Sequence, residues 1–335
     1  MHSFSPIAVL GAGSWGTAMA MHIARSGQHV ILWSNEPDQV DAMRHDRSNE
    51  SYLPGIAFPK SLEVSSDLNQ VLARTKIILI AVPSHAFASV LGQMSRPKHG
   101  LAWLTKGLDP STHHLLSQVV QDLWGMEIPI AMISGPSFAK EVAMNLPTAL
   151  VVASQHLEFA QQLKNVIHHD SVRVYLSQDL IGVQWAGALK NILAIACGIS
   201  DGLCFGANAQ AALITRGLTE MRRFGCRLAA HSETFRGLAG IGDLVLTCTD
   251  NQSRNRRFGV LVGQGMSVEA AEHSIGQVVE GKHNAVLVCD LAAKNHIDLP
   301  ICQAVHAVLH GHLTAENAFL KLMQRPAHDD YTTKS

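Results

Sequence analysis

Two lysines, one aspartate and a basic cluster stand out in this 335-residue chain as groups able to move a proton and hold an anion. Lys190 and Asn191 are the only strongly polar residues in the run 185–194. A lysine there either snorkels its ammonium to solvent or is buried, with a lowered pKa suited to a general base; the two readings stand level. Lys106 follows the apolar run 101–104 and precedes Gly107. Asp243 closes the glycine-rich segment 237–243, and a carboxylate in so apolar a stretch needs partners or serves as a cap. Ser253, Arg254, Asn255, Arg256 and Arg257 form the densest basic patch. Alone it reads as a solvated loop. Behind three closely spaced glycines it is read as an anion site, a guanidinium fork with neutral donors.

A second constellation opens the chain. Gly11-Ala12-Gly13-Ser14-Trp15-Gly16 satisfies GxGxxG between an apolar strand-like run and a helical stretch, the context that turns a weak pattern into a dinucleotide fingerprint. Gly11 would permit the turn, Gly13 a close approach of pyrophosphate, and Gly16 tight helix–strand packing. The amides of Ser14 and Trp15 would face the phosphates. Past the second strand come Ser34, Asn35 and Glu36. Glu36 sits where an acid would bind a ribose, though slightly late, and Arg44 or Arg47 could add positive charge. NAD and NADP therefore stand near even, leaning to NADP or dual use because no acid directly follows the strand.

These groups need a scaffold. Apolar runs without alternation at 7–10, 29–33, 77–82, 101–104, 128–133 and 149–153 suit strands of a parallel sheet covered on both faces. Helical stretches lie between several of them, and Asp109-Pro110 reads as the cap of a helix towards Leu123. Beyond about residue 180 helices take over, at 182–196, 207–224, 268–273, 284–295 and 303–309, with Thr314 capping a last one. The fold class is α/β: a Rossmann-like doubly wound sheet with an all-helical C-terminal domain, divided as 1–185 and 186–335. Gly135 and Ser137 follow a strand and fall at its ligand-facing rim. The tail after Pro326 is expected to fray.

Composition bounds the rest. A formal charge of −1 gives no broad attraction to nucleic acid. The six cysteines form no CxxC pair, which points to reduced thiols in a reducing compartment. Residues 1–6 lack a signal-peptide pattern, and no apolar run approaches the roughly 20 residues that span a bilayer, so a soluble cytoplasmic protein is expected. Cys302, His306 and His310 recur at helical spacing with His312 nearby, but read as an amphipathic surface; no required metal is expected.

Together the motifs resemble the bacterial, soluble, NAD(P)-dependent glycerol-3-phosphate dehydrogenases. The resemblance is carried by GAGSWGTAMA from Gly11, VPSH from Val82, TKGL from Thr105, ISGPSFAKE from Ile133, GALKN from Gly187, FGANAQAALITRGLTEM from Phe205, GLAGIGDLVLTCTDNQSRNRRFG from Gly237 and GQVVEG from Gly276, in family order over nearly the whole chain. It implies interconversion of sn-glycerol 3-phosphate and dihydroxyacetone phosphate, feeding glycerophospholipid synthesis, in a homodimer. By resemblance Lys190 is the general base, Lys106 touches substrate and cofactor, and Asp243 is the active-site carboxylate. Gly135, Ser137, Ser253, Arg254 and Asn255 contact substrate, the last three through its phosphate. Asn35, Ala139, Arg254, Val278 and Glu280 contact the cofactor. Asn35 departs from the His or Arg of many relatives. A 6-phosphogluconate-type or β-hydroxyacid dehydrogenase, and a non-catalytic nicotinamide sensor, are the competing readings; neither accounts for the Ser253–Asn255 segment together with both lysines and Asp243.

Overall fold

The computed structural model describes residues 5–169 and 171–325; the tail after Pro326 lies outside the described residues, as do the first four residues of the segment read as lacking a signal peptide. Eight strands form one sheet: β1 (Ile7–Leu10), β2 (Val30–Trp33), β3 (Leu62–Ser65), β4 (Ile77–Ile80), β5 (Leu101–Trp103), β6 (Ile130–Ser134), β7 (Thr148–Ala153) and β8 (Val172–Ser177), in the order β8-β7-β6-β5-β4-β1-β2-β3. Within β1, Ile7 and Val9 enter one core while Ala8 and Leu10 enter another on the opposite face. Burial on both faces is why the strands read as continuous apolar runs. One pair departs from the parallel expectation: β6 and β7 are antiparallel, with Ile133 opposite Val152. Their link holds only the short helix Ala139–Ala143, which Arg25 anchors through the Val142 and Ala143 carbonyls, so the chain turns back beside β6 without a crossover.

Three helices flank the strand ends that matter below: α1 (Ser14–Arg25), α2 (Pro37–Asp46) and α3 (Ser84–Gly92). The helix expected to open at Asp109-Pro110 begins only at Leu116. Asp109 instead accepts bonds from the Ser111 and Thr112 amides and the Thr112 hydroxyl, and His113 takes a left-handed φ of 61°, so this segment is a side-chain-stapled turn.

The second half is helical and has its own core. At its centre runs α4 (Leu180–Gly202), capped by Asp179. It corrects the expectation about long apolar runs: its mean hydropathy of 1.5 over 18 residues passes for a membrane span, but 94% of that window is buried inside the protein. Around it pack α5 (Asp243–Thr249), α6 (Arg254–Gly263) and α7 (Glu280–Lys294). The glycine-rich segment is a single π-helical turn, Leu238–Gly242, running into α5. The basic patch likewise is no loop: Ser253 caps α6, and Arg254–Arg257 are its first turn.

Glycines set the α4–α6 distance. A Cβ on Gly198 would fall 2.1 Å from the Arg256 carbonyl oxygen, and one on Gly259 2.3 Å from that of Ile195. We expect Gly198→Ala to push α6 outward and lower stability by about 1–3 kcal/mol, more than the roughly 0.5–1 kcal/mol that alanine gains in a helix. An unchanged denaturation midpoint would refute this account of the crossing.

Candidate active site

A cleft of about 1490 Å³ runs along the C-terminal ends of β1, β2, β4 and β5 and is walled on the far side by α4, α5 and α6. At one end lies the glycine turn. Gly11 has φ +115°, and a Cβ there would meet the Ala81 carbonyl group at 2.9 Å. A Cβ on Gly16 would lie 2.0 Å from the Gly11 oxygen, so α1 closes onto its own turn. Gly13 caps α1 without a side chain, and a Cβ there would have nothing within 4 Å. That open backbone before a helix N-terminus fits the pyrophosphate of a dinucleotide. Asn49 buttresses the turn from below, its amide donating to the Ala12 oxygen and to Thr17 Oγ1 at 2.8 Å each.

At the centre the two halves of the molecule meet on one carboxylate. Asp243, on the first turn of α5 and 1% exposed, accepts from Lys190 Nζ at 2.5 Å and from Lys106 Nζ at 2.6 Å. Lys190 comes from the middle of α4, Lys106 from just beyond β5. Lys190 also donates to Thr247 Oγ1 at 2.9 Å, and Lys106 reaches the Gly135 oxygen at 3.4 Å. Of the two readings of Lys190 the buried one holds: its side chain is 8% exposed. Burial, followed by the neighbouring Lys106 charge, pulls its pKa down to about 7 against the pull of Asp243. For Asp243 burial pushes upward, but the two ammonium groups outweigh it and hold the carboxyl below its usual range.

At the other end is the N-terminus of α6. Ser253 Oγ accepts from the Arg256 amide at 3.2 Å, which leaves its hydroxyl proton and the first α6 amides for an anion. Arg254 is exposed in the cleft and bonded to Gln277. Asn255 ties helices together, donating to Asn191 and accepting from the Gly281 amide.

Most expected residues line this one cleft: Gly11, Gly13, Ser14, Trp15 and Asn35 at the glycine end; Lys106, Ser137, Ala139, Lys190 and Asp243 centrally; Ser253, Arg254, Asn255, Val278 and Glu280 opposite. Gly16 and Gly135 do not line it. Gly16 packs, and Gly135 (φ +130°) presents its oxygen to Lys106 and to Ser137 Oγ. Glu280 spends both carboxylate oxygens on Ser84, accepting from its amide at 3.1 Å and its hydroxyl at 2.7 Å, and so clasps α7 to the start of α3. Arg44 and Arg47 do not supply the charge considered for them: neither lines the cleft. Arg256 turns away to Asp201. Among the described residues no group of three His, Cys, Asp or Glu is arranged to hold a metal ion. Cys302 is buried with its amide on Glu220, while His306, His310 and His312 cluster ring to ring. Thr247 was missed by sequence reasoning; its signal was a hydroxyl one helical turn after Asp243.

Comparison with known proteins bears on this arrangement. The models for the N-terminus and the C-terminus of NAD-dependent glycerol-3-phosphate dehydrogenase match residues 6–160 and 179–320. A protein of Legionella pneumophila (strain Paris) named glycerol-3-phosphate dehydrogenase [NAD(P)+] is 57% identical over 324 residues, 97% of this chain and 98% of its own. One of Serratia proteamaculans with the same name is 50% identical over 96% of each chain. The crystal structure of the Coxiella burnetii glycerol-3-phosphate dehydrogenase superposes with a TM-score of 0.93 at 50% identity, covering 96% of this chain and 99% of that one.

Proposed function

The chain belongs to the NAD-dependent glycerol-3-phosphate dehydrogenase family, and from that membership we propose how its own residues carry the reaction. It is an NAD(P)-dependent oxidoreductase that interconverts sn-glycerol 3-phosphate and dihydroxyacetone phosphate. The observation that carries the residue assignment is the Lys190–Asp243–Lys106 triad, placed between an open glycine turn and a helix N-terminus bearing Arg254.

The nicotinamide cofactor, when bound along the glycine turn, accepts or supplies the hydride at substrate C2. Lys190 handles the proton. In oxidation its neutral amine takes the proton of the C2 hydroxyl; in reduction its ammonium returns one to the ketone oxygen. A pKa near 7 keeps both forms populated near neutrality. Asp243 holds both lysine nitrogens in place, and Lys106 presents a cation toward the reacting oxygen and the cofactor side. Gly135 and Ser137 fix the rim beside Lys106. Ser253, Arg254 and the first α6 amides hold the substrate phosphate, with Asn255 as the brace that sets this turn against α4 and α7. Ser14, Trp15, Asn35 and Ala139, with Val278 and Glu280 from the opposite wall, are assigned to the cofactor; all six line the cleft.

The division into 1–185 and 186–335 is supported by a sheet that ends at Ser177 and by helices beyond it, with α4 running across the division. A homodimer, a cytoplasmic location and a role in supplying phospholipid synthesis complete the proposal; six unpaired cysteines suit a reducing compartment.

The test of the whole reading is consumption of NADH or NADPH on adding dihydroxyacetone phosphate; folded protein that binds cofactor without turnover would refute it. For the phosphate grip, we expect Arg254→Ala to raise KM for dihydroxyacetone phosphate about 10- to 100-fold, the worth of a charged hydrogen bond, with kcat retained. An unchanged KM would remove Arg254 from that role.

A further inference from the structure

Cofactor discrimination can be read from the turn after β2. Resting on the dehydrogenase reading above, we infer that this chain selects NAD(H) over NADP(H), because the segment Ser34–Asp38 rejects a 2′-phosphate. Four observations converge. First, that wall of the cleft (Trp33, Ser34, Asn35, Glu36 and Gln39) holds no cation. The two arginines close in sequence are committed elsewhere: Arg44 to the Val64 oxygen at 3.1 Å and to Asp41, Arg47 to the Leu62 and Pro59 oxygens at 2.9 and 2.7 Å. Of the cleft's other basic side chains, Lys106, Lys190, Arg254 and Arg257 come from the β5 end and the helical half, and Lys140 from the short helix Ala139–Ala143 between β6 and β7.

Second, the backbone donors at the start of α2 are depleted. The Glu36 amide is bound to Ser34 Oγ at 3.3 Å, and Pro37 at the first helical position has none. Third, Ser34 is spent: it is 4% exposed and donates to Gln39 Oε1 at 2.6 Å, and Gln39 in turn donates to the Ala12 oxygen. Fourth, Glu36 occupies the cap position of α2 without capping it, so its carboxylate is exposed on the cleft wall; Asp38, in the first turn of α2, adds a second exposed negative charge close by, outside the lining. A carboxylate at the end of the second strand accepts hydrogen bonds from ribose hydroxyls and repels a phosphate there. The lean toward NADP or dual use drawn from sequence rested on the absence of an acid directly after the strand; the fold nevertheless sets the slightly later Glu36 on the cleft wall and directs Arg44 and Arg47 away.

The experiment is direct titration of the protein with NADH and NADPH, followed by quenching of tryptophan fluorescence, since Trp15 and Trp33 line the cleft. Parallel kcat/KM measurements use dihydroxyacetone phosphate. NADPH is expected to bind about tenfold or more weakly than NADH, with the kcat/KM ratio following. Asn35→Arg is expected to narrow the gap about tenfold by supplying the missing cation. Glu36→Gln is expected to weaken NADH and strengthen NADPH. Equal or tighter NADPH binding by the parent protein would overturn the inference while leaving the dehydrogenase reading intact. Binding of neither nucleotide by folded protein would overturn both.

Discussion

Lys190→Ala should bind NADH as the parent protein does and lose about 10²- to 10⁴-fold in kcat, the range of a positioned general acid–base group. Among the described residues, only Lys190 combines burial, a pKa brought to about 7 and an ion pair with Asp243 at the junction of the two halves. Lys106 shares Asp243 with it but is the less buried of the two, its side chain 14% exposed against 8%. The pH dependence carries a sign. In oxidation the neutral amine is required, so kcat/KM rises as pH passes through about 7. In reduction the ammonium is required, so kcat/KM falls over the same range. The same shift links to stability. Unfolded Lys190 keeps its proton up to about pH 10.4, while the folded residue releases it near 7. The folded state is therefore progressively favoured as pH rises between those values, and that contribution is lost as pH falls through 7. Lys190→Ala should flatten both profiles. Near-normal turnover, or an unaltered rate profile, would remove Lys190 from the proton-transfer role.

Asp243→Asn should destabilise the protein by about 3–5 kcal/mol at pH 6, the effect of removing one partner from a buried ion pair. An isosteric amide leaves two ammonium groups with no counter-charge in a site 1% exposed. The loss should shrink by pH 9, because Lys190 is then neutral in the folded state and one of the two stranded charges has gone. Denaturant midpoints at the two pH values measure this directly. Equal stability of variant and parent at pH 6 would mean that Asp243 does not compensate the lysines. Activity should fall as well, since the carboxylate sets the positions of both nitrogens.

Much of this was legible without coordinates. GxGxxG after an apolar run specifies a strand–turn–helix, because Gly11 alone tolerates its φ and Gly16 alone admits the approach of its own turn. The shift in texture near residue 180 located the start of the helical half to within a few residues of Asp179. Short-range competition was harder to see. Asp109 was expected to cap a helix and instead staples a turn, since its carboxylate finds donors within three residues. The basic patch was read as a loop because arginines and asparagine favour neither state strongly, whereas Ser253 as a cap decides for helix. The antiparallel β6–β7 pair depended on where a five-residue helix docked.

The sequence by itself determined the residue types: a glycine turn that admits a phosphate, two lysines and an aspartate in apolar surroundings, and a serine–arginine–asparagine cluster behind closely spaced glycines. Those are local properties, set by backbone sterics and by the solvation of side chains, and they survive translation into a string of letters. Only the tertiary structure decided which charges meet. Lys106 from just beyond β5 and Lys190 from α4 are brought onto the one carboxylate of Asp243 on α5, and the pKa of Lys190 follows from that burial and proximity. Arg44 and Arg47 were equally available on paper, but backbone carbonyls captured both. Electrostatic energy depends on distance and on the exclusion of water, and neither is a property of sequence separation.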